Sequence, residues 1–374
     1  MSLTKDRYTS LDVLRGLTIA LMIIVNTPGS WSTIYEPFEH SAWHGFTITD
    51  LVFPTFLFVV GNSMSFSLKK YTTDHSSFIR KLVIRSLLIF FIGVFLNAFP
   101  FIFRSETGNW QFINLQDLRI PGVLQRIALC YFIAGLLIHF LKTRSVLVVS
   151  AILLLGYWAV MYFFGDAGDP YALEHNAELK LDLAIFRPEN IYHGYGIPFD
   201  PEGVLSTIPA VVKVIAGYFT GLFIQRSKSK NQLFLTLLIA GILACIVAKV
   251  WDIWFPINKP IWTSSYVIYT VGWDLLILSF LILIIELLHF KKWTYFFEVF
   301  GRNPLFIYIL SGIIITVFGL IPLGDSSLQG YIYTNAFLSW LTPYNASLLF
   351  AISYMLLLWL IGWFMDRKSI YIKV

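Results

Sequence analysis

Charge is what this sequence has least of. Of 374 residues, 27 are Lys or Arg and 22 are Asp or Glu, 13% in all, against about 25% in a water-soluble domain. So few charges cannot clothe a globule of this size in hydrated surface, which excludes an ordinary soluble enzyme. Cysteine is scarcer still. Cys130 and Cys245 are the only two, each inside an apolar stretch, which argues against a disulfide framework or a thiolate metal cluster; no metal is expected. The net charge of +5 is broken into short clusters between apolar runs, a pattern of topology rather than of a nucleic-acid-binding face. No internal repeat is evident either, which disfavours transporter folds built from two related halves.

What is present is apolar sequence in long runs. Hydrophobic residues make up 57% of the chain, with 34 Phe and 12 Trp. A hydrocarbon core of about 30 Å takes about 20 apolar residues per helix. Spans of that kind run Leu11–Pro28, Phe46–Leu68, Phe78–Phe103, Ile120–Leu141, Ser145–Phe164, Val204–Ile224, Leu233–Phe255, Ile261–Leu288, Tyr295–Leu320 and Ala346–Met365. The reading is an all-α, polytopic integral membrane bundle of about ten transmembrane helices, forming one domain over residues 1–374. The first apolar segment contains Asp12 and Arg15 and runs into Asn26-Thr27-Pro28-Gly29, so it is expected to be a retained span rather than a cleaved signal.

The loops give the orientation. Alternate loops hold Lys69, Lys70, Arg80 and Lys81, then Lys142 and Arg144, then Arg226, Lys228 and Lys230, then Lys291 and Lys292, with Arg367, Lys368 and Lys373 after the last span. The intervening loops are poor in both residue types. By the positive-inside rule both termini are cytoplasmic. The polar stretch from residue 165 to 203 then lies outside, as a cap over the outer surface.

Ionisable residues within spans are costly, so each is a candidate for function. They are Asp12, Arg15, Asp50, Arg126, Lys213, Lys249, Asp274 and Glu286. Lys249 and Glu286 lie near span ends, and Asp12 and Arg15 are spaced to pair with each other. Arg126 is placed to partner Asp50. The first outer loop is denser in chemistry: Asn26 ends the first span, and His40 and His44 precede the second. An imidazole at the outer mouth of a bundle can take a proton near neutral pH. Composition does not choose between His40 and His44.

The motifs do. Arg7-Tyr-Thr-Ser-Leu-Asp12-Val-Leu-Arg15-Gly16, His40-Ser-Ala-Trp43-His-Gly45 through Asp50-Leu-Val-Phe53-Pro54, and Arg119-Ile-Pro-Gly122-Val-Leu-Gln125-Arg126 occur in order. They are followed by Phe199-Asp200-Pro-Glu202-Gly203, Ile257-Asn258-Lys259-Pro-Ile-Trp262 with Tyr266, and Gly301-Arg302-Asn303-Pro304. In these the chain resembles the heparan-α-glucosaminide N-acetyltransferase family. The resemblance implies acetyl-CoA as the acyl donor and a glucosamine-type amine as acceptor. It puts His40 at the family's catalytic histidine, as general base or transient acetyl acceptor, and Asn26 at an active-site asparagine.

Acetyl-CoA is cytoplasmic, and the sugar lies on the other side. The pantetheine arm is expected to thread outward while basic residues hold the nucleotide. Arg7, Arg15, Arg126, Arg302 and Asn303 are the cofactor candidates, with Arg80, Lys81 and Arg85 as further cations at the inner side. Asp50, Trp43, Asp200, Glu202, Trp262 and Tyr266 are the substrate-binding candidates. The expected setting is a bacterial inner membrane, with the lipid bilayer and an amino sugar as partners, no nucleic acid, and a homodimer left open. A transporter of a sugar or small anion, or an O-acyltransferase of an envelope glycan, remains as an alternative.

Overall fold

The computed structural model describes residues 8–68, 74–105, 109–324 and 326–372. Arg7, Lys69, Lys70 and Lys373, named above, lie outside them. The described chain is a helical bundle with two short hairpins. Its long helices are α1 (Thr9–Asn26), α2 (Ile48–Ser67), α3 (His75–Ala98), α4 (Val123–Phe140), α5 (Thr143–Phe164), α7 (Thr207–Arg226), α8 (Lys230–Trp251), α9 (Ser264–Leu281), α11 (Pro304–Leu320) and α13 (Pro343–Arg367). The shorter helices are α6 (Ala177–Ile185), α10 (Thr294–Arg302) and α12 (Leu328–Ile332). The hairpins pair β1 (Ile102–Arg104) with β2 (Trp110–Phe112), and β3 (Pro322–Leu323) with β4 (Ser326–Ser327).

Every expected span overlaps one of these helices. Eight of them are long and apolar enough by themselves to cross a membrane: α1, α2, α4, α5, α7, α8, α13, and α9 with the π-helical turns that carry it to Leu287. The 24-residue α3 gathers Arg80, Lys81 and Arg85 in its first half and is apolar beyond them. The chain is therefore a polytopic α-helical membrane protein. One expected span is corrected. Residues 295–320 do not form a straight helix: the chain bends by 83° between α10 and α11. Pro304 is the cause, since it starts α11 without a backbone N–H and disfavours a helical Asn303 before it.

The crossing of α2 and α7 brings backbones into contact at two points. A Cβ on Gly61 of α2 would lie 1.8 Å from the Val214 carbonyl of α7, and one on Gly217 would lie 1.9 Å from that of Phe58. Only glycine allows so close an approach, the usual way membrane helices pack without a hydrophobic driving force. α2 is thereby fixed on α7, and the start of α2 carries the chemistry described below.

The segment between α5 and α7 folds back as a cap. Phe199, Tyr171, Leu179 and Leu205 pack with Tyr157 and Met161 of α5 and Phe255 after α8 in one apolar cluster. Beneath it lies a buried polar network. Arg126 bonds to the Gly203 carbonyl (2.9 Å) and the Ser206 hydroxyl, and lies 3.9 Å from Glu178. Asp182 accepts the Val204 N–H at 2.9 Å. Arg126 thus pairs with the cap and not with Asp50, because the fold brings α6 over the start of α4.

Burial pushes the Glu178 carboxyl well up, helped by Asp182 and opposed by Arg126. It pushes Asp182 up to about 6, against the Val204 hydrogen bond. A raised carboxyl favours the folded state when protonated, so Asp182 contributes below the ordinary carboxylate range and that contribution is lost as pH rises through about 6. Asp182→Asn keeps an acceptor for Val204. It is expected to leave the unfolding temperature unchanged near pH 4 and to raise stability above pH 7 by up to about 3 kcal/mol, the worth of two pKa units. Thermal unfolding in detergent at the two pH values checks it.

Candidate active site

Local helix chemistry sets the first element of the site. Asp50 is the third residue of α2, and its Oδ2 accepts the backbone N–H of Thr47, the residue that caps the helix, at 3.0 Å. This is the returning half of a capping box. The same oxygen accepts the N–H of Ser41 at 3.1 Å. With Oδ2 so held, Oδ1 points at the His40 ring and meets Nδ1 at 2.7 Å. The Tyr266 hydroxyl braces the arrangement from behind, donating to the Asp50 carbonyl at 2.6 Å. A carboxylate on Nδ1 fixes the proton there and leaves Nε2 with its lone pair, the form of an imidazole that accepts a proton from a substrate.

Lys259 stands over the same ring. Its Nζ is 3.1 Å from both His40 nitrogens and 3.9 Å from Asp50 Oδ1. Burial pulls this ammonium below the ordinary lysine value, while Asp50 and Glu202 act against that pull. On the facing wall Arg119 is clamped by two carboxylates. Its Nε and Nη2 bond the two oxygens of Asp200 at 2.9 and 2.7 Å, and Nη2 bonds Glu202 at 2.6 Å. Burial opposes the charge on Arg119, and the two carboxylates more than restore it. Tyr192 lies under the guanidinium, 4.8 Å from ring centre to Cζ.

These groups surround a cavity of about 240 Å³. His40, Asn26, Arg119, Glu202, Lys259, Tyr192, Tyr195 and Tyr308 supply its polar lining. Met22, Val25, Val52, Phe53, Phe56, Leu124 and Ile127 supply the apolar part. A second cavity of about 100 Å³ shares Phe56, Leu124 and Ile127 with the first and continues to Arg15, Ser63, Arg85 and Tyr131. Helix periodicity explains the run. Met22 and Asn26 on α1, Val52, Phe56 and Val59 on α2, and Leu124, Ile127 and Tyr131 on α4 each repeat at three or four residues. From Asp50 to Ser63 the path is about 20 Å at 1.5 Å per residue. At its far end Arg15 bonds Ser63 at 2.9 Å, and Arg85 lies over the Tyr131 ring at 5.0 Å.

The fold sorts the expected site residues into distinct groups. His40, Asn26 and Glu202 line the larger cavity, and Arg15 lines the smaller. Asp50, Asp200 and Tyr266 stand one layer back, each holding another residue. Trp43 donates its ring N–H to the Tyr171 carbonyl at 2.9 Å and so anchors the His40 loop to the cap. Trp262 is buried below Arg126, 5.1 Å from ring to guanidinium. Arg302 is tied to Asp366 and Glu298. Asn303 holds the C-terminal segment, through the Ile370 carbonyl (3.0 Å) and the Ile372 N–H (2.8 Å). His44 meets Asn258 at 3.2 Å, and burial pushes its imidazole below the ordinary histidine value; it does not border the cavity. Tyr192, Tyr195 and Lys259 were not singled out by residue type. Lys259 sits inside a recognisable motif, the one signal that could have found it; the two tyrosines sit in the cap and carried none.

Among the described residues no cluster of His, Cys, Asp and Glu is arranged to hold a metal ion. Comparison with known proteins gives a consistent answer. A family model described as heparan-α-glucosaminide N-acetyltransferase, catalytic, matches residues 7–248. The mouse heparan-α-glucosaminide N-acetyltransferase is 27% identical over 358 residues, covering 81% of this chain and 53% of that protein. The human protein of the same name is 26% identical over 363 residues, covering 83% and 53%. The chain spans about half the length of the curated relatives it matches.

Proposed function

The chain belongs to the heparan-α-glucosaminide N-acetyltransferase catalytic family, and on that premise we propose that it moves an acetyl group from acetyl-CoA, entering at the Arg15 end, to an amino sugar bound at the His40 end. The observation that carries this reading is the pair of adjacent cavities. They share the apolar lining of Phe56, Leu124 and Ile127, with an Asp-held imidazole on one side and Arg15 and Arg85 on the other. An extended pantetheine arm spans about 15–20 Å, close to the helix rise of about 20 Å between Asp50 and Ser63.

Arg15 and Arg85 are the cations placed to receive the nucleotide phosphates, since guanidinium bonds phosphate in a planar, bidentate way. The thioester lies at the junction with the larger cavity. The amine of the sugar donates a hydrogen bond to Glu202, and the sugar ring lies against Tyr192 and Tyr195. His40 Nε2 removes the amine proton as nitrogen attacks the carbonyl carbon. The proton then passes to the departing thiolate, giving an N-acetyl sugar and CoA. Positive loops at the Arg15 end support a cytoplasmic placement of that side.

Sealed proteoliposomes test both chemistry and sidedness. With acetyl-CoA added outside inside-out vesicles and glucosamine within, N-acetylglucosamine is expected to accumulate in the lumen with equimolar CoA release outside. Glucose in place of glucosamine is expected to give none. Efflux of sugar without CoA release would establish a transporter instead, and acetylation of glucose would establish an O-acyltransferase.

A further inference from the structure

The transfer as derived leaves one charge of the cavity unused and one charge of the reaction unmet. Attack on a thioester drives the carbonyl electrons onto oxygen, and acyl-transfer sites normally meet that charge with fixed N–H donors. Here the backbone donors beside His40, Ser41 N–H and Thr47 N–H, are both committed to Asp50. The unused charge is Lys259. We propose that Lys259 is a catalytic residue of the acetyl transfer, its ammonium neutralising the oxyanion that forms on the thioester carbonyl above the His40 ring.

Three observations support it. Equal 3.1 Å distances to Nδ1 and Nε2 put Nζ over the face of the imidazole rather than on the line of either lone pair. The base therefore stays free to act in its plane while the cation lies next to where it acts. An ammonium has three donors, and Lys259 also lines the cavity, so an incoming oxygen there has a donor to meet. The lysine is also held in place. The Asp252 carboxylate takes the Ile257 N–H at 2.6 Å, the Ile257 carbonyl takes the Gly45 N–H at 2.9 Å, and Asn258 donates to the Trp43 carbonyl at 2.9 Å. These bonds lock the Lys259 loop to the His40 loop, so their relative position is set before substrate arrives. Across the cavity Asn26, whose side chain has no hydrogen-bond partner among the described residues, supplies the second donor.

The step balances without any further reactant. The C–N bond forms as the carbonyl pair moves to oxygen, beside Lys259, and His40 takes the amine proton. The oxyanion collapses, the C–S bond breaks, and the thiolate takes the proton back from His40. Lys259 keeps its own protons throughout.

This inference rests on the acetyl-transfer reading, and the experiment separates the two. The purified full chain is assayed for CoA release with glucosamine, as wild type, Lys259→Met and Lys259→Arg. The Met variant is expected to lose about a hundred-fold in kcat, the usual cost of removing one oxyanion donor. Its KM for acetyl-CoA should stay within about three-fold, and Arg should recover at least ten-fold of the loss. A Met variant turning over within three-fold of wild type overturns the proposal. So does an Arg variant as slow as Met with KM raised in step, which marks a structural post. If Lys259→Met lowers the unfolding temperature, Lys259→Ala takes its place under the same criteria. A wild type that releases no CoA fails earlier, and sinks the acetyl-transfer reading along with this one.

Discussion

Replacement of His40 by alanine is expected to slow acetyl transfer at least about a hundred-fold, within the range for loss of a general base, with the protein still folded. Both halves follow from where the residue sits. His40 borders the cavity and is bonded by Asp50 through Nδ1, which on the proposed mechanism leaves Nε2 for the substrate. Without it the amine proton has no comparable acceptor: Lys259 is a cation, and Glu202, to which the amine donates, has its charge held by Arg119 and is a weaker base than an imidazole. The side chain is 50% exposed and comes from a loop, so its removal opens no apolar void. Asp50 would keep its two backbone donors and Lys259 at 3.9 Å. CoA-thiol release measured beside thermal unfolding decides the matter. An alanine variant within three-fold of wild type, equally stable, would remove His40 from the mechanism.

The second large effect concerns stability. Lys213 of α7 and Asp274 of α9 meet at 2.5 Å with no exposure of either side chain, and Thr55 of α2 donates to Asp274 at 2.6 Å. The Phe58 ring lies 5.6 Å from the ammonium. These groups tie three helices together in the apolar interior, away from both cavities. Removing one partner leaves the other buried and uncompensated, which costs about 3–5 kcal/mol, whereas removing both together is often close to neutral. Lys213→Met and Asp274→Asn should therefore each lower the unfolding temperature markedly, and the double variant should recover most of the loss. If the double variant is as unstable as the sum of the singles, the pair is not acting as a unit.

How much of this was legible beforehand depends on the range of each interaction. The spans were readable because lipid demands an apolar run of fixed length, and that demand acts on neighbouring residues. The capping box is equally local, with Thr47 and Asp50 three apart, but it was not singled out from the sequence. The break at Asn303 was missed although Pro304 is in plain view, because hydropathy continues smoothly across it. Arg126 was paired with Asp50 on the strength of depth alone. Its partner Glu178 lies on α6, a helix too polar and too short to register as part of the bundle. Lys259 reaches His40 from 219 positions away. Nothing local in the sequence could show that its ammonium, one cation in a loop otherwise read as topology, arrives over the ring.

Asp50 has a dual office. The carboxylate that begins the second helix is the one that orients the imidazole, so the start of a secondary-structure element and the readiness of a base are a single event. On the proposed mechanism, a change that let this helix begin one residue later would silence the chemistry while leaving the apolar walls of the cavity in place. Drift along the apolar faces is tolerable, while the register of that first turn is not.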